Sequence, residues 1–246
     1  MTEVALTREV PLPRLAPALL SFVAGYVDIY TFLGLFGLFV AQVTGSFVTA
    51  GAELVTHDES ITGKVLAIVA FLVATILSAA LIRFARYRGR DALPLMLGLE
   101  TALLIVFCAI ILAGPPVTSA TDRNGIVAGL FAAMAMGMQS VMVRLLMRGV
   151  PQTNVMTGNM TQIGIETTDL VSAWLKCTRE PGDQDNQREL AAVRGRLLAV
   201  VAITLGFILG AACAAVSYAK AGLAGAPVAV VIVGALALWT AGAKGN

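Results

Sequence analysis

Long apolar runs alternate with short polar segments along most of the chain. Each run approaches the ~20 residues that an α-helix needs to cross the hydrocarbon core of a bilayer. The last run is short unless its helix begins near Gly222. The pattern predicts an all-α membrane protein with six transmembrane helices, over residues 16–36, 65–82, 92–113, 126–147, 197–216 and 228–239.

Two further segments, 38–55 and 151–170, are moderately apolar and follow the first and fourth runs. They contain one repeated phrase, "VTGSFVTAGAEL" and "MTGNMTQIGIET", in which a T-G pair is followed by five residues and then by G-x-E. The repetition predicts two copies of one unit, and chance similarity is the alternative. We expect Glu53 and Glu166 to end their helices near the membrane interface. The matching positions are Thr44 and Thr157, Gly45 and Gly158, Gly51 and Gly164, and Glu53 and Glu166.

Positive charge indicates whether the two extra segments cross the membrane, because basic residues concentrate on the cytoplasmic side. With six spans, fourteen of the 17 Lys and Arg residues lie on the side of the two termini, against Lys64, Arg123 and Lys220 on the other. With eight spans, the basic residues divide ten to seven and the bias disappears. We therefore expect six spans, cytoplasmic termini, and re-entrant or half-buried helices at the T-G segments.

The six spans divide into two halves of three. Because three is odd, the second half enters the membrane from the opposite face, as in the inverted repeats of many secondary transporters. Pro94 and Pro227 open the third span of each half. The predicted organisation is a cytoplasmic lead at 1–15, a first repeat at 16–113, an external loop at 114–125, and a second repeat at 126–246 that contains a cytoplasmic loop at 176–196.

The T-G pairs are candidate helix breaks. Glycine adopts backbone angles that other residues avoid, and Ser, Thr and Asn side chains accept hydrogen bonds from the free amides of a first helical turn. We expect Thr44 or Ser46 to cap one short helix, and Thr157 or Asn159 to cap the other. Two opposed helix starts near the midplane would form a polar site for an anion or a carbonyl oxygen. Close packing through small residues, without ligand contact, is the alternative.

Polar groups inside the apolar runs are candidates for function because each is costly in lipid. Asp28, in the first span, is the strongest candidate for proton or cation coupling. The alternative is a pair with Gln139 or Arg144 that locks the bundle. Glu100 is a further acid within the third span. The candidate substrate-binding residues are Asp28, Thr44, Gly45, Ser46, Gln139, Thr157, Gly158 and Asn159.

Composition excludes several classes of protein. The chain is 58% hydrophobic and 13% charged, with a mean hydropathy of +0.84, whereas soluble domains carry about 25% charged residues. A net charge of +2 without a basic run predicts no nucleic-acid partner. Three cysteines without a C-x-x-C pair, and His57 as the sole histidine, predict no metal site. Because no ATPase, hydrolase, zinc-protease or dinucleotide motif occurs, we expect no cofactor and no enzymatic activity.

The stretches "FVAGYVDIYTFLGLFGLFVAQVTGSF" and "GMQSVMVRLLMRGVPQTNVMTGNMTQIG" resemble the YoaK-like proteins, an uncharacterised family of bacterial inner-membrane proteins. The similarity extends over about residues 15–239. Ser46 and Ser140 stand where the family commonly has asparagine. The resemblance implies a multi-pass inner-membrane protein without an established substrate. The residues at the family's motif positions are Gly25, Tyr26, Asp28, Thr44, Gly45, Gly137, Gln139, Thr157 and Gly158.

These features favour a secondary transporter or channel for a small solute or ion, with its site between the two T-G breaks. A non-transporting membrane scaffold or partner subunit is the alternative, because charged site residues are few and small-residue packing is common. An intramembrane enzyme fits least well, because no nucleophile and base can be paired. The expected partners are the lipid bilayer and a small solute or ion.

Overall fold

The computed structural model describes Pro13 and residues 15–56, 60–180 and 182–242, which form helices and connections without a β-strand. His57 and most of the predicted lead at 1–15 lie outside these described residues. A short 3₁₀ segment, Gly222–Gly225, precedes the last helix. The α-helices of the described chain are α1 (Ala16–Gly34), α2 (Val43–Thr56), α3 (Ile61–Tyr87), α4 (Leu93–Ala113), α5 (Arg123–Leu146), α6 (Met156–Arg179), α7 (Gln184–Ala221) and α8 (Pro227–Gly242).

Each of the six apolar runs coincides with a helix, and no run extends more than two residues beyond its helix. Among the described residues, α1, α3, α4, α5 and α7 are long and apolar enough to cross a membrane, and α8 is a shorter apolar helix of 16 residues. Pro94 lies in the first turn of α4, and Pro227 begins α8. Proline suits a first turn because its missing N–H would have no partner there. The two prolines therefore mark helix starts, as the sequence predicted.

The T-G pairs lie in the first turns of α2 and α6. A connection at 35–42 separates α1 from α2, and a connection at 147–155 separates α5 from α6. α2 has 14 residues, whereas α6 has 24 and ends well beyond the predicted segment at 151–170. The prediction of a short second helix is wrong because the amphipathic pattern of α6 continues past the apolar stretch.

The predicted cytoplasmic loop at 176–196 is largely helical. α6 continues to Arg179 and α7 begins at Gln184, where the Asp183 side chain accepts a hydrogen bond from the amide of Asp185. A salt bridge of 2.9 Å joins Lys176 Nζ to Glu189 Oε1 across the two helices. The polar residues of this region therefore lie in helices, at the end of α6 and the start of α7, which continue beyond their apolar stretches. At 38 residues α7 is about 57 Å long, roughly twice the hydrocarbon thickness.

The first helix of each half packs against the long helix of the other half. α1 packs on α7, and α5 packs on α3. A Cβ atom at Gly206 of α7 would lie 2.5 Å from the carbonyl oxygen of Ala18 in α1. A Cβ atom at Gly137 of α5 would lie 2.7 Å from the carbonyl oxygen of Phe71 in α3. Glycine therefore allows both backbones to approach closely, which is how helices associate in membranes.

Apolar side chains cover much of the outer surface as well as the core. Leu72, Ile76 and Leu77 of α3 are each more than half exposed. A soluble monomer rarely leaves such continuous apolar surface in contact with water. The exposed helices instead suit a hydrocarbon environment, and the fold fits an integral membrane protein.

The contact between Gly206 and Ala18 leads to a stability prediction. We expect Gly206→Ala to destabilise the protein by about 1–3 kcal/mol, because the methyl group forces α1 and α7 apart. The measurement is the thermal unfolding midpoint in detergent. Gly98→Ala is the matched control, because Gly98 lies in α4 with no atom within 4 Å of an added Cβ. An unchanged midpoint for Gly206→Ala would contradict the close approach of α1 and α7.

Candidate functional site

The two connections that precede the T-G helices meet inside the bundle. The Asn154 side chain, from the second connection, donates hydrogen bonds to the carbonyl oxygen of Ala41 (3.2 Å) and to Ser140 Oγ (2.6 Å). Ala41 belongs to the first connection and Ser140 to α5. One buried amide therefore joins both halves of the chain. We call this region the junction, formed by Asp28, Ala41, Gln139, Ser140, Thr153 and Asn154.

Asp28 holds the first connection in place. Its Oδ1 accepts hydrogen bonds from the backbone amides of Val40 and Ala41, both at 2.7 Å, and its Oδ2 accepts one from Gln42 at 3.1 Å. The side chain is buried, and lipid offers these non-helical amides no partner. The alternative pair of Asp28 with Gln139 or Arg144 is therefore not formed, because Asp28 binds backbone amides. Three such bonds satisfy most of the acceptor capacity of the carboxylate.

Gln139 holds the second connection against α1. Its Nε2 donates to the carbonyl oxygen of Leu20 and to Thr153 Oγ1, each at 2.9 Å. Ser21 Oγ lies 2.8 Å from the carbonyl oxygen of Thr153 and completes this link. Gln139, Thr153 and Ser21 are all buried. The connection at 147–155 is therefore bonded to α1 as well as to α5.

Two buried oxygen atoms of the junction lack a hydrogen-bond donor among the described residues: Gln139 Oε1 and Asn154 Oδ1. The orientation of each amide is determined by its neighbours. The carbonyl oxygens of Leu20 and Ala41 can only accept, so each must face an amide nitrogen. Each NH₂ group uses both hydrogens on protein acceptors, which leaves two oxygens free to accept. A buried acceptor without a donor is costly, and it is a candidate contact for a polar ligand.

The two T-G helices make matching contacts with their own connections. Ser46 Oγ donates to the carbonyl oxygen of Phe39 (2.7 Å) and accepts from its amide (3.1 Å). Asn159 Nδ2 donates to the carbonyl oxygen of Gln152 (2.7 Å). Each side chain binds the residue seven positions earlier, because helical side chains point toward the N-terminus. The predicted capping of first-turn amides is replaced by bonds to the preceding connection, and Val155, the N-cap of α6, makes no side-chain cap.

The remaining predicted residues lie around the junction and not within it. The side chains of Thr44 and Thr157 are exposed, and so is Gly158. Gly45 is half-buried, and a Cβ atom there would lie 2.6 Å from the ring of Phe39. The structure therefore brings Asp28 and Gln139 to the two connections, with Ser46 and Asn159 as supports. It leaves the threonines of the T-G pairs at the surface.

The glutamates of the repeated phrase form a second matching pair of contacts. Glu53 of α2 forms an ion pair with Lys64 of α3. Glu166 of α6 accepts hydrogen bonds from Arg196 Nε of α7 at 3.0 and 3.1 Å. Lys64 and Glu166 are both buried, so each pair contains a charge that needs its partner. These contacts fix each T-G helix to the long helix that follows it.

Sequence reasoning missed Thr153 and Asn154. Both lie in "PQTN", a polar stretch between the fourth apolar run and the second T-G pair. The sequence alone could have indicated these two residues, because four consecutive residues without a large apolar side chain are unusual within a membrane-embedded segment. The repeated glycines mark the first turns of α2 and α6. The structure places the bonding residues immediately before those turns.

A cavity lies away from the junction. It has a volume of about 690 Å³ and lies between α6 and α7. Its lining is mostly apolar, includes Leu170, Trp174 and Leu198, and contains none of the predicted site residues. Within the part of the chain that the structure describes, no group of three or more His, Cys, Asp or Glu side chains is arranged to hold a metal ion.

The model of a family of proteins of unknown function, DUF1275, matches residues 16–240, and the chain belongs to this family. The match includes both connections, both T-G helices and every residue of the junction. Comparison with curated proteins and with solved structures gave no match.

The hydrogen bonds of Asp28 lead to a second prediction. We expect Asp28→Asn to lower the free energy of unfolding by about 1.5–3 kcal/mol, because an amide has one acceptor oxygen and its NH₂ group repels the backbone amides. Thermal unfolding in detergent is the measurement. Asp185→Asn, at an exposed position at the start of α7, is the control and is expected to change the free energy by less than about 0.5 kcal/mol. Equal stability of the two variants would show that Asp28 does not hold the connection.

Proposed function

We propose that this DUF1275-family chain is a secondary transporter or channel for a small polar solute or ion, and that the junction is its binding site. The observation that supports this proposal is the Asn154 amide of the second connection. It donates hydrogen bonds to Ala41 of the first connection and to Ser140 of α5, while its own oxygen lacks a donor among the described residues. We further propose a bacterial inner-membrane location with both termini in the cytoplasm, in keeping with the resemblance to YoaK-like proteins. No catalytic step is needed for this function.

The proposed architecture is two inverted repeats, at 16–113 and 126–246, joined by an external loop at 114–125. The paired contacts support it. Ser46 and Asn159 each bind the backbone seven residues earlier, and Glu53 and Glu166 each pair with a cation of the next helix. These two matching sets of contacts favour repetition of one unit over chance similarity between two short stretches.

The packing of helices from one repeat against helices of the other supports an alternating-access mechanism. α1 packs on α7 and α5 on α3, so that each pair combines one helix from each repeat. In inverted-repeat transporters, one bundle rocks against another around a site near the midplane. The junction is suitably placed for such a site, because Asn154 of the second connection binds Ala41 of the first. Rocking would open the junction toward one side of the membrane and then the other.

The chemistry of the junction favours one class of substrate. Gln139 Oε1 and Asn154 Oδ1 are acceptors, and the three amides that a free anion would need are already bound to Asp28. We therefore propose a substrate that donates hydrogen bonds or carries positive charge, such as an amine, a hydroxyl compound or a small cation. This substrate class replaces the anion or carbonyl oxygen expected from the helix starts, because neither of those can donate a hydrogen bond to Gln139 Oε1 or Asn154 Oδ1.

A membrane scaffold or partner subunit is the second candidate. The observation that favours it is the apolar cavity of about 690 Å³ between α6 and α7, which lies apart from the junction. In this case the junction only ties the two halves together. Thermal stability would then not depend on any solute, and a partner protein would co-purify stoichiometrically.

The inverted architecture predicts opposite labelling of two positions, one near the end of each T-G helix. Thr56 and Thr178 are exposed near the C-terminal ends of α2 and α6. In a variant lacking Cys108, Cys177 and Cys213, we expect a membrane-impermeant maleimide to label Thr56→Cys from outside the cell. Thr178→Cys should react only after the cytoplasmic side is opened. Labelling of both positions from the same side would contradict the inverted arrangement.

The binding site predicts a solute-dependent stability. We expect at least one member of a panel of sodium, potassium and ammonium ions, neutral amino acids and sugars to raise the unfolding midpoint of the wild type. The stabilisation approaches about 2.7 kcal/mol at a concentration of 100 times Kd. Asn154→Ala and Gln139→Met should lose this shift, measured relative to each variant's own midpoint.

The control for this experiment is Asn186→Ala, because Asn186 is a half-buried amide in the first turn of α7 and is not part of the junction. It should keep the full shift. The same solute should enter proteoliposomes that contain the wild type faster than protein-free liposomes. A panel without any shift or uptake, or a shift that survives in both junction variants, would contradict the proposed site.

A further inference from the structure

Glu100 has an environment opposite to that of Asp28. It lies in the middle of α4, and its side chain is completely buried. Neither Oε1 nor Oε2 has a hydrogen-bond partner among the described residues. Asp28, by contrast, is surrounded by three backbone amides. The two intramembrane acids therefore need different explanations.

Among the described residues, the elements that pack against α4 place no charged group where it would neutralise Glu100. α4 packs against α5, α8 and the 3₁₀ segment at Gly222–Gly225. The last two elements contain no ionisable side chain. α5 contributes Arg123 and Arg144, which lie at its two ends and are exposed. In α4 itself, the other ionisable group is the Cys108 thiol, two turns further along.

An ionised carboxylate without a partner is strongly disfavoured in such a place. Transfer of an isolated charge into an apolar medium costs so much that the group takes up a proton instead. Ionisable residues that persist inside membrane helices commonly belong to substrate paths or proton relays. A structural acid would be expected to have a partner, as Asp28 does. Glu100 has none among the described residues.

We propose that Glu100 is a proton-binding site in the membrane interior and the residue that couples solute movement to protons. The coupling role rests on the transport function proposed above, whereas proton binding does not. At rest the carboxyl group is neutral. It releases the proton only in a conformation that brings water or a base to α4, and rocking of one repeat against the other supplies such a conformation.

Infrared spectroscopy of the lipid-reconstituted protein tests proton binding directly. A protonated carboxylic acid has a C=O stretch separate from the bands of a carboxylate. We expect this band in the wild type at neutral pH, with a shift to lower frequency in D₂O. It should be lost in Glu100→Gln and kept in Asp28→Asn. Identical spectra of wild type and Glu100→Gln in this region would overturn the proposal.

Stability provides a second, independent readout. Glutamine has nearly the shape of a protonated glutamate and is neutral, so Glu100→Gln is expected to leave the unfolding midpoint near that of the wild type. Glu100→Lys should lower the midpoint strongly, because the described residues around this position offer no group that would neutralise the lysine charge. Equal tolerance of glutamine and lysine would mean that the site is hydrated, and it would overturn a neutral, dry carboxyl.

Proton flux tests the coupling role. Proteoliposomes containing a pH-sensitive dye receive a pH gradient together with each member of the same panel of ions, amino acids and sugars. We expect at least one of these solutes to accelerate proton movement in the wild type and to have no such effect in Glu100→Gln. Equal acceleration in both proteins would overturn coupling through Glu100. If no solute affects proton movement in the wild type, coupling fails, whereas the uptake experiment still decides transport and the infrared band still decides proton binding.

Discussion

The structure depends on satisfying backbone amides where the chain leaves its helices inside the bundle. Lipid offers no hydrogen bonds, so every non-helical connection at that depth must find partners in the protein. Asp28 provides them for the first connection by accepting from three successive amides. Asn154 and Gln139 tie the second connection to Ala41 and Leu20. These bonds position the starts of α2 and α6, and with them the two repeated T-G motifs.

The same requirement separates architectural polar groups from candidate functional ones. Asp28, Ser46 and Asn159 use their polar atoms on neighbouring backbone. Gln139 and Asn154 donate their amide hydrogens to the protein, but their side-chain oxygens have no donor within the described part of the chain. The carboxyl group of Glu100 makes no hydrogen bond to the described residues. Polar atoms in an apolar interior are costly, so the unsatisfied ones are the places where a solute or a proton gains most from binding.

Much of the helical architecture could be predicted from the chain. The apolar runs located α1, α3, α4, α5 and α7 because a span must be long and apolar. Pro94 and Pro227 located two helix starts. The loop predicted at 176–196 failed because polar composition cannot distinguish a loop from a helix that leaves the membrane. Asp28 was singled out correctly as a buried acid, but its partners could not be predicted, because they lie on backbone twelve to fourteen residues away.

The sequence by itself determined that the chain is a helical membrane protein with one repeated motif, because hydropathy and motif identity are local properties. Only the tertiary structure decided which polar groups are satisfied. That depends on contacts between residues far apart in the chain, such as Asn154 with Ala41 and Gln139 with Leu20. Two acids in apolar runs look alike in the sequence. Three-dimensional packing surrounds Asp28 with amides and leaves Glu100 without a partner among the described residues, because it decides which backbone groups come within bonding distance.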